Sequence, residues 1–415
     1  MKGWSKKRLV EITEKIGSGA TPRGGQEAYK ESGISLFRSL NVYDGIFKKK
    51  NLAFIDEDQA SKLSNVVVRE GDVLLNITGA SVARCCVAPS EFLPARVNQH
   101  VAIIRPKLDY IDSNFLAYLL ASKQYKDALL NTGEKAGSTR QALTKVQLEN
   151  FEITIPRLPE QNRIVAILDE AFERIDRTIA NTKKNLTNAR ELFESYLNAI
   201  FIQKGDGWVE SKLGDVCKFQ GGSQPPKSVF SIDKKEGYIR LIQIRDYKSD
   251  KYIVYIPKEK AKRFCKPDDV MIGRYGPPLF QILRGLEGAY NVALMKAIPT
   301  EDFVSKDFLF YFLKNRNILN YIINSSSRTA GQTGLNKATI EPYPIAFPTL
   351  EKQAIIVAQL QELKAETQRL EAIYQQKLAA LNELKQTILQ KAFAGELTAD
   401  IANQATKNAE GAIAA

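Results

Sequence analysis

The stretch Leu158–Phe201, LPEQNRIVAILDEAFERIDRTIANTKKNLTNARELFESYLNAIF, decides the architecture, because it recurs as Leu350–Phe393, LEKQAIIVAQLQELKAETQRLEAIYQQKLAALNELKQTILQKAF. The register holds from end to end. Ile155, Pro156, Leu158, Gln161, Ile164, Val165 and Leu168 match Phe347, Pro348, Leu350, Gln353, Ile356, Val357 and Leu360 at a separation of 192, and Leu192, Leu197 and Phe201 match Leu384, Leu389 and Phe393. Two long segments of one pattern in one chain are the signature of an internal repeat.

Ile164, Leu168, Ala171, Ile175, Ile179, Thr182, Leu186, Ala189, Phe193, Leu197 and Ile200 step by three or four, the period of an α-helix, and so form one stripe. Ile356, Leu360, Leu363, Thr367, Leu370, Tyr374, Leu378, Leu381, Leu384 and Ile388 do the same in the second copy. Neither interior contains Gly or Pro, and at ~1.5 Å rise per residue such a segment makes a rod of about 65 Å. A lone rod would leave its stripe in water, so the partner expected for each is the other. Core helices of globular domains average only ~11 to 12 residues, which argues against an ordinary core role.

The intervening segments mix short β-rich runs with a few helices. In the first, Lys7–Ile16 reads as an entry strand or helical turn, Gly17 to Gly25 as a loop, Ile34–Val42 and Val101–Arg105 as strands, Val66–Val68 and Val73–Ile77 as strands flanking a turn at Glu70–Asp72, Asn114–Lys126 as one helix, and Phe151–Ile155 as a last strand. The second segment keeps this punctuation. Trp4 and Leu9 match Trp208 and Leu213; Gly19, Thr21 and Pro22 match Gly222, Gln224 and Pro225; Arg69, Gly71, Asp72 and Val73 match Lys266, Asp268, Asp269 and Val270; Asn98, Ala102 and Pro106 match Asn291, Ala293 and Pro299; and the helix starting at Phe115 matches the one starting at Phe308. The expected fold is therefore α+β: two globular α/β domains alternating with two long helices that pack as an antiparallel coiled coil, in a pseudo-two-fold repeat. The expected boundaries are 1–157 and 205–349 for the domains, 158–204 and 350–397 for the helices, and 398–415 for a flexible tail.

The chain has 415 residues, 44% hydrophobic, with a net charge of +12 and a pI near 9.3. That balance favours a polyanionic partner. There is no apolar run of the ~18 residues a membrane span needs and no signal-peptide core, so no membrane role is expected and the cytoplasm is the expected location. Cys85, Cys86, Cys217 and Cys265 have no zinc-site spacing and read as reduced, buried thiols. With His100 as the single histidine, no phosphate-binding G-x-x-x-x-G-K-[ST] loop and no G-x-S-x-G elbow, no catalytic or metal site is expected. Tyr275-Gly276-Pro277-Pro278-Leu279-Phe280 approaches the Asn/Asp-Pro-Pro-aromatic motif of amino-methyltransferases, but Gly276 and Leu279 stand where the amide acceptor and the stacking ring belong. A rigid loop is the plainer reading.

What remains is two basic, loop-rich domains rich in the side chains that read duplex DNA: Arg forks onto guanine, Gln or Asn onto adenine, and Lys holds phosphate. The candidates are Thr21, Arg23, Arg38, Asn41, Thr78, Arg84, Lys135, Arg140 and Gln141 in the first domain. In the second they are Gln224, Lys227, Gln243, Arg245, Arg274, Tyr275, Arg284, Arg328, Gln332 and Asn336. For each taken singly, the alternative is a solvated charge or a turn residue.

The order domain, rod, domain, rod, with the junctions Ile153-Thr154-Ile155-Pro156-Arg157-Leu158-Pro159-Glu160-Gln161 and Ile345-Ala346-Phe347-Pro348-Thr349-Leu350-Glu351-Lys352-Gln353, and the terminal Lys391-Ala392-Phe393-Ala394-Gly395-Glu396-Leu397, resembles the specificity subunits of type I restriction-modification systems. The resemblance covers nearly the whole chain. It implies that each domain is a target recognition domain reading one half of a bipartite, asymmetric site on double-stranded DNA, with the rods as a spacer. It also implies two modification (methyltransferase) subunits docked on this chain and two restriction (motor-nuclease) subunits for cleavage. S-adenosylmethionine, ATP and magnesium would belong to those partners and no cofactor to this chain. An equivalent reader in another methylating phage-defence complex would share every feature, whereas a catalytic methyltransferase lacks its motifs here.

Overall fold

The computed structural model describes residues 3–22, 24–134, 142–276, 278–326 and 334–397. The chain divides into two compact units: Met1–Thr182 with Gln376–Ala415, and Lys183–Gln375. Each unit thus contains one globular domain and one half of each long helix.

The two long segments are continuous helices, Leu158–Gln203 and Leu350–Phe393. In the first unit Ile164, Val165 and Leu168 share a core with Leu389, Ala392 and Phe393, and Asp176 accepts a hydrogen bond from Lys385 Nζ at 2.6 Å. In the second, Arg190 Nε donates to Glu371 at 3.0 Å and Tyr196 Oη to Gln359 at 3.5 Å. Residue numbers rise on one helix as they fall on the other, so the pairing within each unit is antiparallel. Every stripe residue expected from the period is buried or half-buried save Leu384, which is exposed. Lys385 takes its place at the seam, its ammonium 5.1 Å from the Phe172 ring, because the long apolar stem of Lys covers apolar surface while its charge reaches Asp176.

The globular domains have one topology, used twice. In the first, Thr13–Ser18, Val101–Pro106, Val73–Asn76 and Cys85–Val87 form one four-stranded sheet and Ala53–Ile55, Ile34–Phe37, Ala95–Val97 and Val67–Val68 the other, while Ser5–Arg8 pairs with Glu152–Ile155. In the second, the sheets are Cys217–Gly221, Leu294–Pro299, Val270–Gly273, Gln281–Leu283 and Tyr255–Pro257, Tyr238–Ile242, Gly288–Tyr290, Phe264–Cys265, with Val209–Lys212 pairing with Pro344–Phe347. The ladder registers correct one match: Ala102 answers to Met295, each opposite the second-last residue of its neighbour strand (Leu75 and Ile272), and Ala293 answers to His100. The helix expected over Asn114–Lys126 is two, Ser113–Ala121 and Lys123–Glu134, broken at the buried, extended Ser122, whose hydroxyl donates to Leu119 O at 2.6 Å.

A buried glutamine ties each domain to the start of its helix. Gln161 Oε1 accepts from Asp112 N at 2.9 Å, and its Nε2 donates to Tyr110 O and Pro156 O, both at 2.9 Å. Gln353 repeats this with Ser305 N, Phe303 O and Pro348 O at 2.9, 2.7 and 2.9 Å. Both side chains are fully buried, and a buried amide must have its donors and acceptor satisfied. Each domain also accepts a phenylalanine from the far end of a long helix. Phe393 packs edge-on against Phe115 at 5.4 Å, beside Trp4; Phe201 packs against Phe308 at 5.4 Å, beside Trp208.

In the first domain Arg105, on one sheet, forks onto Asp72 at 2.7 and 2.8 Å, the carboxylate fully buried, and donates to Val67 O of the other sheet at 3.0 Å. Cys85, Cys86, Cys217 and Cys265 are free and buried; burial pushes Cys86 and Cys217 up to about 12 and Cys265 to about 11. Among the described residues no helix is long and apolar enough to cross a membrane.

Candidate nucleic-acid interface

The strand-end loops of both domains rest on the same backbone frame. A Cβ at Gly19 would lie 1.7 Å from Val97 O and one at Gly222 1.9 Å from Asn291 O, so only glycine permits these approaches. The two glycines differ in one bond: Gly19 N donates to Asn98 O, whereas Gly222 N donates to Leu294 O, the counterpart of Val101. Next, Ile77 N donates to His100 O and Leu143 N to Ile77 O; in the second domain Arg274 N donates to Ala293 O and Leu335 N to Arg274 O. Asn98 Oδ1 accepts from His100 N at 3.0 Å and Asn291 Oδ1 from Ala293 N at 3.2 Å. The frame is therefore held by backbone groups and one buried asparagine in each domain, and the other side chains are free to differ.

In the first domain they make a polar chain. Thr21 N donates to Gln99 Oε1 at 2.6 Å, which fixes the orientation of that amide. Gln99 Nε2 can only donate, so His100 Nε2, 3.3 Å away, accepts and the ring proton sits on Nδ1. That proton is donated to Thr78 Oγ1 at 2.5 Å, leaving the Thr78 hydroxyl hydrogen to point elsewhere. Thr78 also pairs through its backbone with Ala142, the first described residue after 135–141. Thr21 and Thr78 are sequence candidates; Gln99 and His100, which connect them, are not among the candidates. The only sequence signal was their place in the loop matched to Asn291–Ala293.

Cations over aromatic rings form the second feature. Arg84 lies 4.9 Å from the Tyr43 ring with Lys48 Nζ 3.6 Å from it, and Arg245 lies 5.1 Å from the exposed Tyr252 ring with Lys251 at 5.4 Å. Such rings hold a guanidinium extended without consuming its donors. Gln224 and Lys227 are exposed, the Gln224 amide donating to Pro225 O at 3.3 Å. Gln243 is half-buried, its Nε2 without a hydrogen-bond partner among the described residues. Beside it, burial raises the Asp246 carboxyl above its ordinary range, against the pull of the Gln243 backbone N–H and Arg240.

Other candidates are committed to the fold. Asn41 is fully buried, its amide donating to Lys48 O at 2.8 Å and its oxygen accepting from Arg38 N at 3.1 Å, so no base edge reaches it. Arg38 donates to Asn51 O at 2.5 Å above the Tyr29 ring. Arg274 donates to Leu335 O and Val292 O at 2.9 and 3.2 Å, and its neighbour Tyr275 packs over Gly334. Arg284 binds Asp307 at 2.5 Å and Asp268 O at 2.9 Å. Asn336 caps the Lys337–Ile340 helix through Thr339 N at 2.9 Å. Arg23, Lys135, Arg140, Gln141, Arg328 and Gln332 lie outside the described residues. Among the described residues no cluster of three or more His, Cys, Asp or Glu is placed to hold a metal ion.

Comparison with known proteins agrees with this duplicated arrangement. The family model described as the type I restriction modification DNA specificity domain matches twice, over residues 1–188 and 205–381. The type I restriction enzyme StySPI specificity subunit of Salmonella potsdam is 22% identical, covering 96% of this chain and 90% of its own length. The EcoDI specificity subunit of Escherichia coli is 33% identical, covering 72% and 73%. Among solved structures, the HsdS subunit from Thermoanaerobacter tengcongensis superposes with a TM-score of 0.61 at 21% identity, covering 95% of this chain and 98% of that one. A chain solved in work on complex assembly and conformational transition of the type I R-M system superposes with a TM-score of 0.74 at 21% identity, covering 96% and 99%. With two copies of the specificity domain along its length, the chain belongs to the type I restriction-modification DNA specificity family, and its role is the recognition of DNA sequence.

Proposed function

We propose that residues 1–157 and 205–349 each read one half of a bipartite, asymmetric DNA site, that the long helices set the unread gap, and that the helices also dock two methyltransferase subunits. The observation that carries the reading is one backbone frame bearing unlike side chains: His100 and Thr78 in the first domain stand where Ala293 and Tyr275 stand in the second. One frame with two surfaces suits two related but different half-sites. Side chains that remain available for bases or phosphates are Thr21, Thr78, Gln99 and Arg84 in the first reader and Gln224, Lys227, Gln243 and Arg245 in the second.

Reading heads on one face of B-DNA are favoured about one helical turn apart, roughly 34 to 36 Å. A helix of 46 residues, at ~1.5 Å each, is long enough to set such a distance. Bond-making is left to partners: methyl transfer from S-adenosylmethionine to the methyltransferase subunits, and ATP- and magnesium-dependent cleavage to two motor-nuclease subunits. The test is to co-express the chain with its modification subunit and map methylated adenines across the host genome. One bipartite motif with a fixed gap is expected, and exchanging residues 1–150 for those of a relative should change one half of it. A change in both halves would overturn the assignment.

A further inference from the structure

In the second unit, a cleft of about 510 Å³ opens between the Lys306–Leu313 helix and the Gln361–Gln368 part of the long C-terminal helix. Its walls include Tyr247, Ile282, Arg284, Phe310, Lys314 and Lys364. Arg284 and Lys314 both lie against the Phe310 ring, at 4.4 and 4.2 Å. Asp307 balances the Arg284 charge, but Lys314 and Lys364 have no carboxylate within salt-bridge distance among the described residues. The buried Tyr247 hydroxyl and Arg284 Nε also have no hydrogen-bond partner there. The cleft thus presents two unbalanced positive charges, with two unpartnered polar atoms buried behind its wall.

The repeat supplies an internal control. At the positions of Arg284, Lys314 and Lys364 the first unit has Val87, Ala121 and Phe172; at those of Gln361 and Gln368 it has Asp169 and Asp176. There Asp169 accepts from Tyr118 at 2.6 Å and Asp176 from Lys385 at 2.6 Å, so the equivalent place satisfies itself. The cationic cleft is a property of the second unit, not of the fold.

We propose that this cleft holds one backbone phosphate of duplex DNA, with Lys314 and Lys364 as its counter-charges. Tyr247 ends the Ile244–Tyr247 turn that carries Arg245, which connects the cleft to the side chains assigned to base reading. The enclosing walls, with the Lys364 and Arg284 charges, push Lys314 down to about 8 although the residue is exposed along its length; a bound anion relieves that crowding. A phosphate contact positions DNA without reading sequence.

The inference rests on the DNA-reading role above, and the experiment separates the two. Duplex affinity is measured against salt for the full-length chain assembled with its modification subunits, as wild type, as Lys314→Gln with Lys364→Gln, and as a control with Lys183→Gln and Lys184→Gln on the central helix. Loss of one phosphate contact lowers the slope of log affinity against log salt by about 0.9, with roughly tenfold weaker binding to every sequence and an unchanged methylation motif. An unaltered slope, or an equal fall in the control, overturns the phosphate site while leaving DNA reading intact. Normal DNA affinity with failed assembly assigns the cleft to an acidic protein surface instead, and also overturns it. If the wild type itself shows no salt-dependent duplex binding, the reading role fails as well.

Discussion

Replacing Gln161 with Ala should unfold the first unit selectively, and replacing Gln353 should do the same to the second. Each side chain makes three hydrogen bonds of 2.7 to 2.9 Å at full burial. At about 1 kcal/mol net per bond, with a further 1 to 3 kcal/mol for each buried group left unpaired, the loss should be about 3 to 5 kcal/mol after partial relaxation. That is a large fraction of the ~5 to 15 kcal/mol that holds a typical domain folded. Urea unfolding followed by tryptophan fluorescence reports the units separately, since Trp4 lies against Phe115 in one and Trp208 against Phe308 in the other. Trp4→Phe and Trp208→Phe backgrounds isolate each signal. For Gln161→Ala the Trp4 transition should move to lower urea while the Trp208 transition holds, and the reverse for Gln353→Ala. A shift below 1 kcal/mol, or equal shifts in both transitions, would refute the view that these amides clasp each domain to its helix.

Three further outcomes are expected. Asp72→Ala strands the Arg105 guanidinium in the first domain and should cost about 3 to 5 kcal/mol by denaturant titration, whereas Arg177→Ala, at an exposed helical pair with Glu173, should cost no more than about 0.5 kcal/mol. Because burial raises the thiols, the folded chain keeps them protonated where the unfolded chain ionises near 8.5 to 9. The stability this contributes is complete below pH 8.5 and falls as pH rises toward 11 to 12, and a thiol reagent at pH 8 should label the chain only at the rate of unfolding. Inserting four residues near Thr182 should lengthen the unread gap of the methylation motif without altering either half; an unchanged gap would count against the spacer role.

Periodicity made the long helices legible, since a stripe recurring every three or four residues has one geometric meaning. The repeat was equally legible because Gln161 and Gln353, and Phe201 and Phe393, do the same packing work in both units. Leu384 misled because its residue type suits a stripe, while Lys385 next to it holds the seam by its stem and its charge together. The break at Ser122 had no Gly or Pro to announce it; a buried hydroxyl that turns back on Leu119 O supplied the local alternative to helix. The recognition surface was least legible. Arg274 and Arg284 carry the same side chain as Arg84 and Arg245, and what separates them is whether a carbonyl or carboxylate distant in sequence has already claimed the guanidinium. Gln99 and His100 were overlooked for the converse reason, as their importance comes from Thr21 and Thr78 arriving from other strands.

The two phenylalanine seats also bear on the order of events during synthesis. The seat beside Trp4 is filled by Phe393, which is synthesised only after Gln375, the last residue of the second unit. The first unit must therefore wait, incompletely sealed, until the second has been made, and a chain cut short between Gln375 and Phe393 should damage the first domain before the second.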